Sequence, residues 1–168
     1  MVKTNQTSLL YPDYVTSSVL ALQADELKKV GITHIALDVD ETIVPKNHND
    51  LTPEYIAFLQ GLEKTGFQLL IVSNSGRDLR KITQHFNAVL VPPTSFAFKP
   101  FKKYFSMVIT AAGTDAQHIA MVGDKVLNDI IGANHAGLKT ILVEPYARRQ
   151  KIYNRIYLTR ALRLQTRS

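Results

Sequence analysis

Short apolar runs alternate along this chain with stretches whose apolar positions recur every three or four residues. The runs, which read as strands, fall at 33–37, 67–72, 88–91, 118–122 and 138–143. Between them the helical period predicts helices at 24–30, from Thr52 to near Gly66, at about 77–86, from Lys99 towards Ala112, and at 126–136. Thr52-Pro53-Glu54 is a strong helix start, with a capping hydroxyl and proline at the first helical position. Gly31 and Gly137 read as helix stops. In the helix after Lys99, Phe101, Phe105, Val108 and Ile109 are expected to face inward. Nearly continuous apolar strands alternating with helices imply a mostly parallel sheet covered on both faces. The expected fold is α/β, a three-layer sandwich with a Rossmann-like sheet. Residues 8–20 precede it as a leading segment, for which core packing is expected.

Composition narrows the chemistry. The 168 residues are 45% hydrophobic, which suits one globular domain with a real core. No cysteine is present, which excludes disulfides, thiolate metal sites and thiol nucleophiles. The first residues lack a signal peptide's apolar core, so a cytoplasmic location is expected. The net charge of +6 is local: residues 1–147 hold 13 Lys/Arg and 14 Asp/Glu, or −1, whereas residues 148–168 hold seven basic side chains and no acid, or +7. The expected division is therefore a domain at 1–147 and a basic tail at 148–168. His34, His48, His85, His118 and His135 show no paired metal spacing.

Polar residues interrupt the apolar pattern in four places, most of them at strand ends: Asp38/Asp40/Thr42, Ser73/Asn74, Lys99, and Asp124/Asn128/Asp129. The C-terminal ends of parallel strands share one edge of a sheet, so these clusters can converge on one crevice. Each has a plainer reading as a helix cap, a solvated charge or a turn acid. Those readings leave the joint appearance in this order unexplained. An ordinary aspartate is ionised at neutral pH, so Asp38 could attack phosphorus without a base to activate it. Asp40 could protonate the leaving alkoxide and later activate water, a task that asks for a raised pKa. Asp38, the Asp40 carbonyl and Asp124 would make a hard oxygen site for Mg²⁺. Lys99 would neutralise a phosphoryl oxygen and the nucleophile, while Ser73 and the amides around Asn74 would bind phosphate at a helix N-terminus.

Asp38-Val-Asp-Glu-Thr42, Ile71-Val-Ser73, Lys99-Pro100 and Gly123-Asp-Lys-Val-Leu-Asn-Asp129 resemble the four motifs of the haloacid dehalogenase (HAD) superfamily. Tyr11-Pro12-Asp13, Val72-Ser-Asn74, Gly132, Asn134 and Gly137 resemble its subclass IIIA, the YqeG-like branch related to mitochondrial phosphatidylglycerophosphatase. The resemblance implies a phosphatase working through an aspartyl-phosphate. It implies Asp38 as nucleophile, Asp40 as acid/base, Ser73 and Lys99 as phosphate ligands, and Asp124 as a magnesium ligand. Thr42, Asn128 and Asp129 would lie one layer out from these.

About 30 residues separate Thr42 from Ser73, and the interval from Ser73 to Lys99 is shorter still. Neither leaves room for a substantial cap domain. An open site suits a substrate at a surface: a protein, a nucleic acid or a membrane lipid. Ile152, Ile156 and Leu158 to Leu162 predict an apolar helical stripe in the tail, flanked by Arg155, Arg160 and Arg163. Such a helix either lies on a membrane, giving peripheral contact with the inner membrane face, or docks on the domain. Phosphatidylglycerophosphate, an anionic lipid monoester, is the leading expected substrate. Alternatives are soluble sugar phosphates, nucleotides or phosphoproteins, and, outside enzymes, RNA binding through the tail.

Overall fold

Seven strands make one sheet: β1 (Val2–Lys3), β2 (Tyr14–Thr16), β3 (His34–Leu37), β4 (Gln68–Val72), β5 (Ala88–Val91), β6 (Ile119–Gly123) and β7 (Lys139–Val143). Their spatial order is β1-β2-β7-β6-β3-β4-β5. Every neighbouring pair is parallel except β1 and β2. The structure, a computed structural model, describes residues 1–3 and 9–146. The predicted tail helix and Ser8 of the leading segment lie outside the described residues. No helix among the described residues is long and apolar enough to cross a membrane.

The two faces of the sheet are set by the alternation of side chains along each strand. Ile35 and Leu37 of β3 point to one face, with Leu27 of α1 (Ala24–Lys29), Leu59 and Leu62 of α2 (Pro53–Lys64) and Ile82 of α3 (Arg80–Thr83). Ala36 points to the other, with Tyr104, Phe105 and Val108 of α4 (Lys102–Ala112) and Ala133 of α5 (Gly132–Ala136). These are the three layers expected. Leu59 is fully buried, so its removal costs the roughly 2–5 kcal/mol typical of a large core truncation. Thr52 caps α2 as predicted, its hydroxyl accepting from the Tyr55 amide, with Pro53 at the first helical position.

Four expectations are corrected or refined. The helix foreseen at 77–86 shrinks to the four residues of α3, because Ser75 and Asp78 turn their oxygens onto the Arg77 and Arg80 amides. The helix at 126–136 runs over that whole range but changes its winding. Residues 126–131 are wound one residue wider than an α-helix, and α5 completes the turn to Gly137, whose φ of +86° suits glycine. Phe101 does not face inward; it is extended at φ −66°, ψ 135°, precedes the helix, and is 54% exposed. In the leading segment, Val15 and Val19 are core residues, but Leu9 and Leu10 are nearly half exposed.

That segment also supplies β2, which adds to the sheet beside β7 and is fastened by polar groups. The Asp13 carboxylate accepts from the Thr140 amide at 2.9 Å, and Asn134 donates to the Leu9 and Tyr11 carbonyls, each at 2.8 Å. The Thr140 hydroxyl donates to the Asn134 side-chain oxygen at 2.9 Å.

The chain leaves β3 to build β4 and β5 on one side, then crosses over to build β6 and β7 on the other. The switch point therefore falls at the C-terminal ends of β3 and β6, where α/β folds open a crevice. Asp38 follows β3 there, and Asp124 follows β6. Residues 39–52 stay a tight loop, with a bridge between Asp40 and Val44, and residues 73–87 hold only α3. Neither interval carries a cap domain.

Candidate active site

A cavity of about 300 Å³ opens at this switch point, and Asp38, Asp40, Ser73, Asn74, Lys99 and Asn128 all line it. Asp124, Asp129 and Thr42 lie buried beneath. All nine residues singled out in the sequence are thus brought to one end of the sheet.

At the floor, the Lys99 ammonium is 3% exposed and lies between two carboxylates. It donates to Asp38 Oδ1 at 2.5 Å, to Asp129 Oδ1 at 2.7 Å and to the Val72 carbonyl at 3.1 Å. Burial alone would push the lysine towards neutrality, but Asp129 and Asp38 outweigh it and hold its pKa above the ordinary value. Thr42 donates from the other side, to Asp38 Oδ2 at 3.1 Å. Asp38 is therefore clamped on both oxygens and fixed in orientation.

Ser73 and Asn74 position this lysine as much as they face the cavity. The Asn74 side chain donates to the Lys99 carbonyl and accepts from the Lys99 amide, each at 2.8 Å. It is committed to the backbone, so what Asn74 can offer an anion is its own amide. Ser73 Oγ accepts from the Ser75 amide at 3.1 Å. The helix N-terminus expected here is absent, since α3 begins only at Arg80. A Ser-Asn-Ser-Gly run favours turns, and a loop of amides takes the helix's place.

Asp124 and Asp129 complete an acidic cluster with Asp38, one carboxylate oxygen from each lying within 4.8 Å of the others. Burial, helped by Asp129 and Asp38 and opposed by Lys125, pushes the Asp124 carboxyl up to about 7. Burial and Asp38 likewise raise Asp129, against the pull of Lys99. Three carboxyl groups thus face two ammonium groups, Lys99 and Lys125. The donor set is hard oxygen throughout, as a Mg²⁺-type ion prefers. Moreover, Lys125 Nζ bridges two of the oxygens foreseen as metal ligands, donating to Asp124 Oδ1 at 2.9 Å and to the Asp40 carbonyl at 3.3 Å. A protein cation stands where a divalent ion would bind, so the residues present fit such an ion.

Gly123 makes this compactness possible. A methyl group on it would overlap the carboxyl carbon of Asp129, so glycine is needed for the acid to reach Lys99.

Three contributors escaped the sequence reading. Arg77 donates to Asp40 Oδ2 at 2.7 Å, to Asn49 Oδ1 at 2.6 Å and to the His48 carbonyl at 2.9 Å. The Asn47 amide adds a bond to Asp40 Oδ1 at 2.8 Å. Burial pushes the Asp40 carboxyl up, but Arg77, Asn47 and the charge of Lys125 outweigh it and hold it below the usual range. The raised pKa expected for this acid is therefore not the resting condition; a guanidinium rather than a carboxylate is its nearest charge. Glu41, the second unforeseen residue, is buried in left-handed backbone at φ +66° and accepts from the Lys46 amide at 2.8 Å. Lys125 is the third. The contacts of Arg77 and Lys125 with Asp40 carried no local signal, since they span 37 and 85 residues and form only after the loops fold together.

A doubly wound parallel sheet with this aspartate–lysine floor defines a HAD-type phosphatase, a phosphoric monoester hydrolase. A family model described as HAD-hydrolase-like matches residues 97–151, and one described as mitochondrial PGP phosphatase matches residues 2–90. The latter spans more than half of the chain, and the chain belongs to that family. It is 27% identical over 136 residues to the probable phosphatase YqeG of Bacillus subtilis, covering 81% of this chain and 78% of that protein. It is 32% identical over 101 residues to a phosphoserine phosphatase of Thermus thermophilus, covering 56% of this chain and 41% of that longer protein. In fold it matches an uncharacterized protein of Listeria monocytogenes with a TM-score of 0.56 at 20% identity, over 77% of this chain and 99% of that one.

Proposed function

We propose that this phosphatase is Mg²⁺-dependent, works through an aspartyl-phosphate on Asp38, and acts on phosphatidylglycerophosphate. The observation that carries the chemistry is the clamped Asp38. One oxygen is held by Lys99 and the other by Thr42, at the floor of a cavity rimmed by Asp40. Asp38 would attack phosphorus and form the acyl–phosphate bond as the P–O bond to the glycerol breaks. Asp40 would give its proton to the departing alkoxide, then take one from the water that splits the aspartyl-phosphate, releasing inorganic phosphate and restoring Asp38. The incoming phosphate dianion would raise the Asp40 pKa against the hold of Arg77. Lys99, Ser73 and the loop amides would hold the phosphoryl oxygens. Asp38, the Asp40 carbonyl and Asp124 would hold the metal, which offsets the repulsion between nucleophile and substrate.

The lipid reading is supported by the family match and by the size of the cavity. About 300 Å³ accommodates a glycerophosphate headgroup, while acyl chains would have to remain outside. Phosphate release from phosphatidylglycerophosphate in mixed micelles with Mg²⁺, lost in Asp38→Asn, is the expected result. If a folded protein hydrolyses a generic aryl phosphate but not the lipid, the mechanism stands and the lipid assignment fails.

A further inference from the structure

Lys99 reaches the cavity floor from a loop, residues 92–101, that follows β5 and leaves its phenylalanines exposed. Ala97 and Lys99 are buried, whereas Phe96 is 83% exposed, Phe98 38% and Phe101 54%. Phe98 and Phe101 meet edge to face with ring centroids 4.8 Å apart. Three of the chain's seven phenylalanines thus stand outward within six residues, on the segment that delivers the buried lysine. An exposed aromatic cluster of this kind is uncommon on a protein surface that meets only water.

The exposed charges that continue from the loop are basic: residues 92–110 hold no Asp or Glu, while Lys99 itself is buried in its ion pairs. Lys102 and Lys103 follow the phenylalanines directly and are both exposed. Beyond the loop, an apolar groove runs along α4 and the edge strand β5, lined by Leu90, Pro92, Lys103 and Met107. Val89 and Leu90 of that strand are also exposed.

The geometry points to this loop and its two lysines as a docking surface for an anionic lipid bilayer, seated so that the cavity opens onto the headgroup layer. The inference rests on the lipid reading of the active site. Charge complementarity selects the occupant. Outward phenylalanines suit the acyl boundary, and lysines beside them suit anionic headgroups. A cavity that holds a headgroup but no acyl chain needs its substrate presented at an interface. A loop that carries both the exposed aromatics and Lys99 puts that interface within reach of the chemistry.

Because the chain has no tryptophan, Phe96→Trp in the full chain gives a single fluorescent reporter at the tip of the loop. The vesicles are phosphatidylcholine with and without phosphatidylglycerol, and contain no phosphomonoester, so the result does not depend on which substrate is turned over. Expected are a shift of emission to shorter wavelength with phosphatidylglycerol vesicles, quenching by brominated acyl chains, and loss of both in high salt. Combined Phe96→Ser, Phe98→Ser and Phe101→Ser, checked for folding by thermal melting, is expected to lower vesicle partitioning by about tenfold, from three rings losing partial apolar burial. Vesicles that sediment the chain while the reporter's emission stays unmoved would place the contact elsewhere, on the basic tail, and overturn the inference. Absence of vesicle binding, or a reporter that responds only to self-association of the chain, would overturn it too. Hydrolysis of an aryl phosphate by the natural chain, run alongside, keeps a failure of docking distinct from a failure of the phosphatase.

Discussion

Gly123→Ala tests the packing of the catalytic floor with a single methyl group and no change of charge. Gly123 ends β6, which pairs with β3 on one side and with β7 on the other, where Gly123 is opposite Leu142. The strand cannot back away, because the Asp38 amide donates to the Val122 carbonyl at 2.9 Å. The added methyl overlaps the Asp129 carboxyl group, so Asp129 must swing aside. Its two anchors, Lys99 Nζ at 2.7 Å and the Lys125 amide at 2.9 Å, cannot both survive. Overpacking of this kind costs about 1–3 kcal/mol, and unpairing one side of a buried ion pair about 3–5 kcal/mol. The two costs overlap, since relieving one causes the other. A loss of about 3–5 kcal/mol is therefore expected in denaturant unfolding with a chelator present, together with a large fall in turnover as Lys99 loses its second partner. A variant within about 1 kcal/mol of the parent and fully active would refute the view that Asp129 fixes Lys99.

Gly61 is the contrasting case, since it lies inside α2 with nothing within 4 Å of where a methyl would go. Gly61→Ala is expected to raise stability by about 0.5–1 kcal/mol in the same assay. The metal-free protein should lose stability as pH rises from about 4 to about 7. Asp124, raised to about 7, and Asp129, also raised, keep protons in the folded state that the unfolded chain has released. Saturating Mg²⁺ should abolish or reverse that slope, and thermal melts at both pH values with and without the ion would check it. Lys125→Met should bind Mg²⁺ about tenfold more tightly in calorimetric titration, because the ion no longer displaces a charged hydrogen bond worth about 1.5 kcal/mol. Weaker binding would mean that the ammonium assists the ion instead of occupying its place.

The strands and the acids at their ends were legible because both obey local rules. Ile35 to Leu37 is apolar because both sheet faces are covered, and Asp38 marks where that cover stops. Thr52-Pro53 announces α2 through its own backbone chemistry. Illegible features depend on partners distant in sequence. Arg77 meets Asp40 across 37 residues, and nothing in Ser75-Gly76-Arg77 distinguishes it from a solvated turn arginine. Lys125 reads as a surface charge until the loop after β3 brings the Asp40 carbonyl to it. Phe101 fits a helical stripe with Phe105 and Val108 by spacing alone, but the helix begins one residue later, and the stripe loses its first member. Tyr14 to Thr16 carries too short a pattern to be recognised as a strand without β7 beside it.

That last pairing also orders events during synthesis. Asp13 and Thr140, joined by hydrogen bonds, are 127 residues apart, so β2 leaves the ribosome long before the strand it needs exists. The central strands β3, β4 and β5 can assemble while the chain is still being made, whereas β6 and β7 come late and β2 must wait for both. The two ends of the domain are stitched together last, over an edge of β7 that would otherwise be open to strands of neighbouring chains. Nascent chains stalled before residue 139 would therefore carry β1 and β2 unattached to the rest of the sheet and stay protease-sensitive there, even with the nucleophile's own strand already in place.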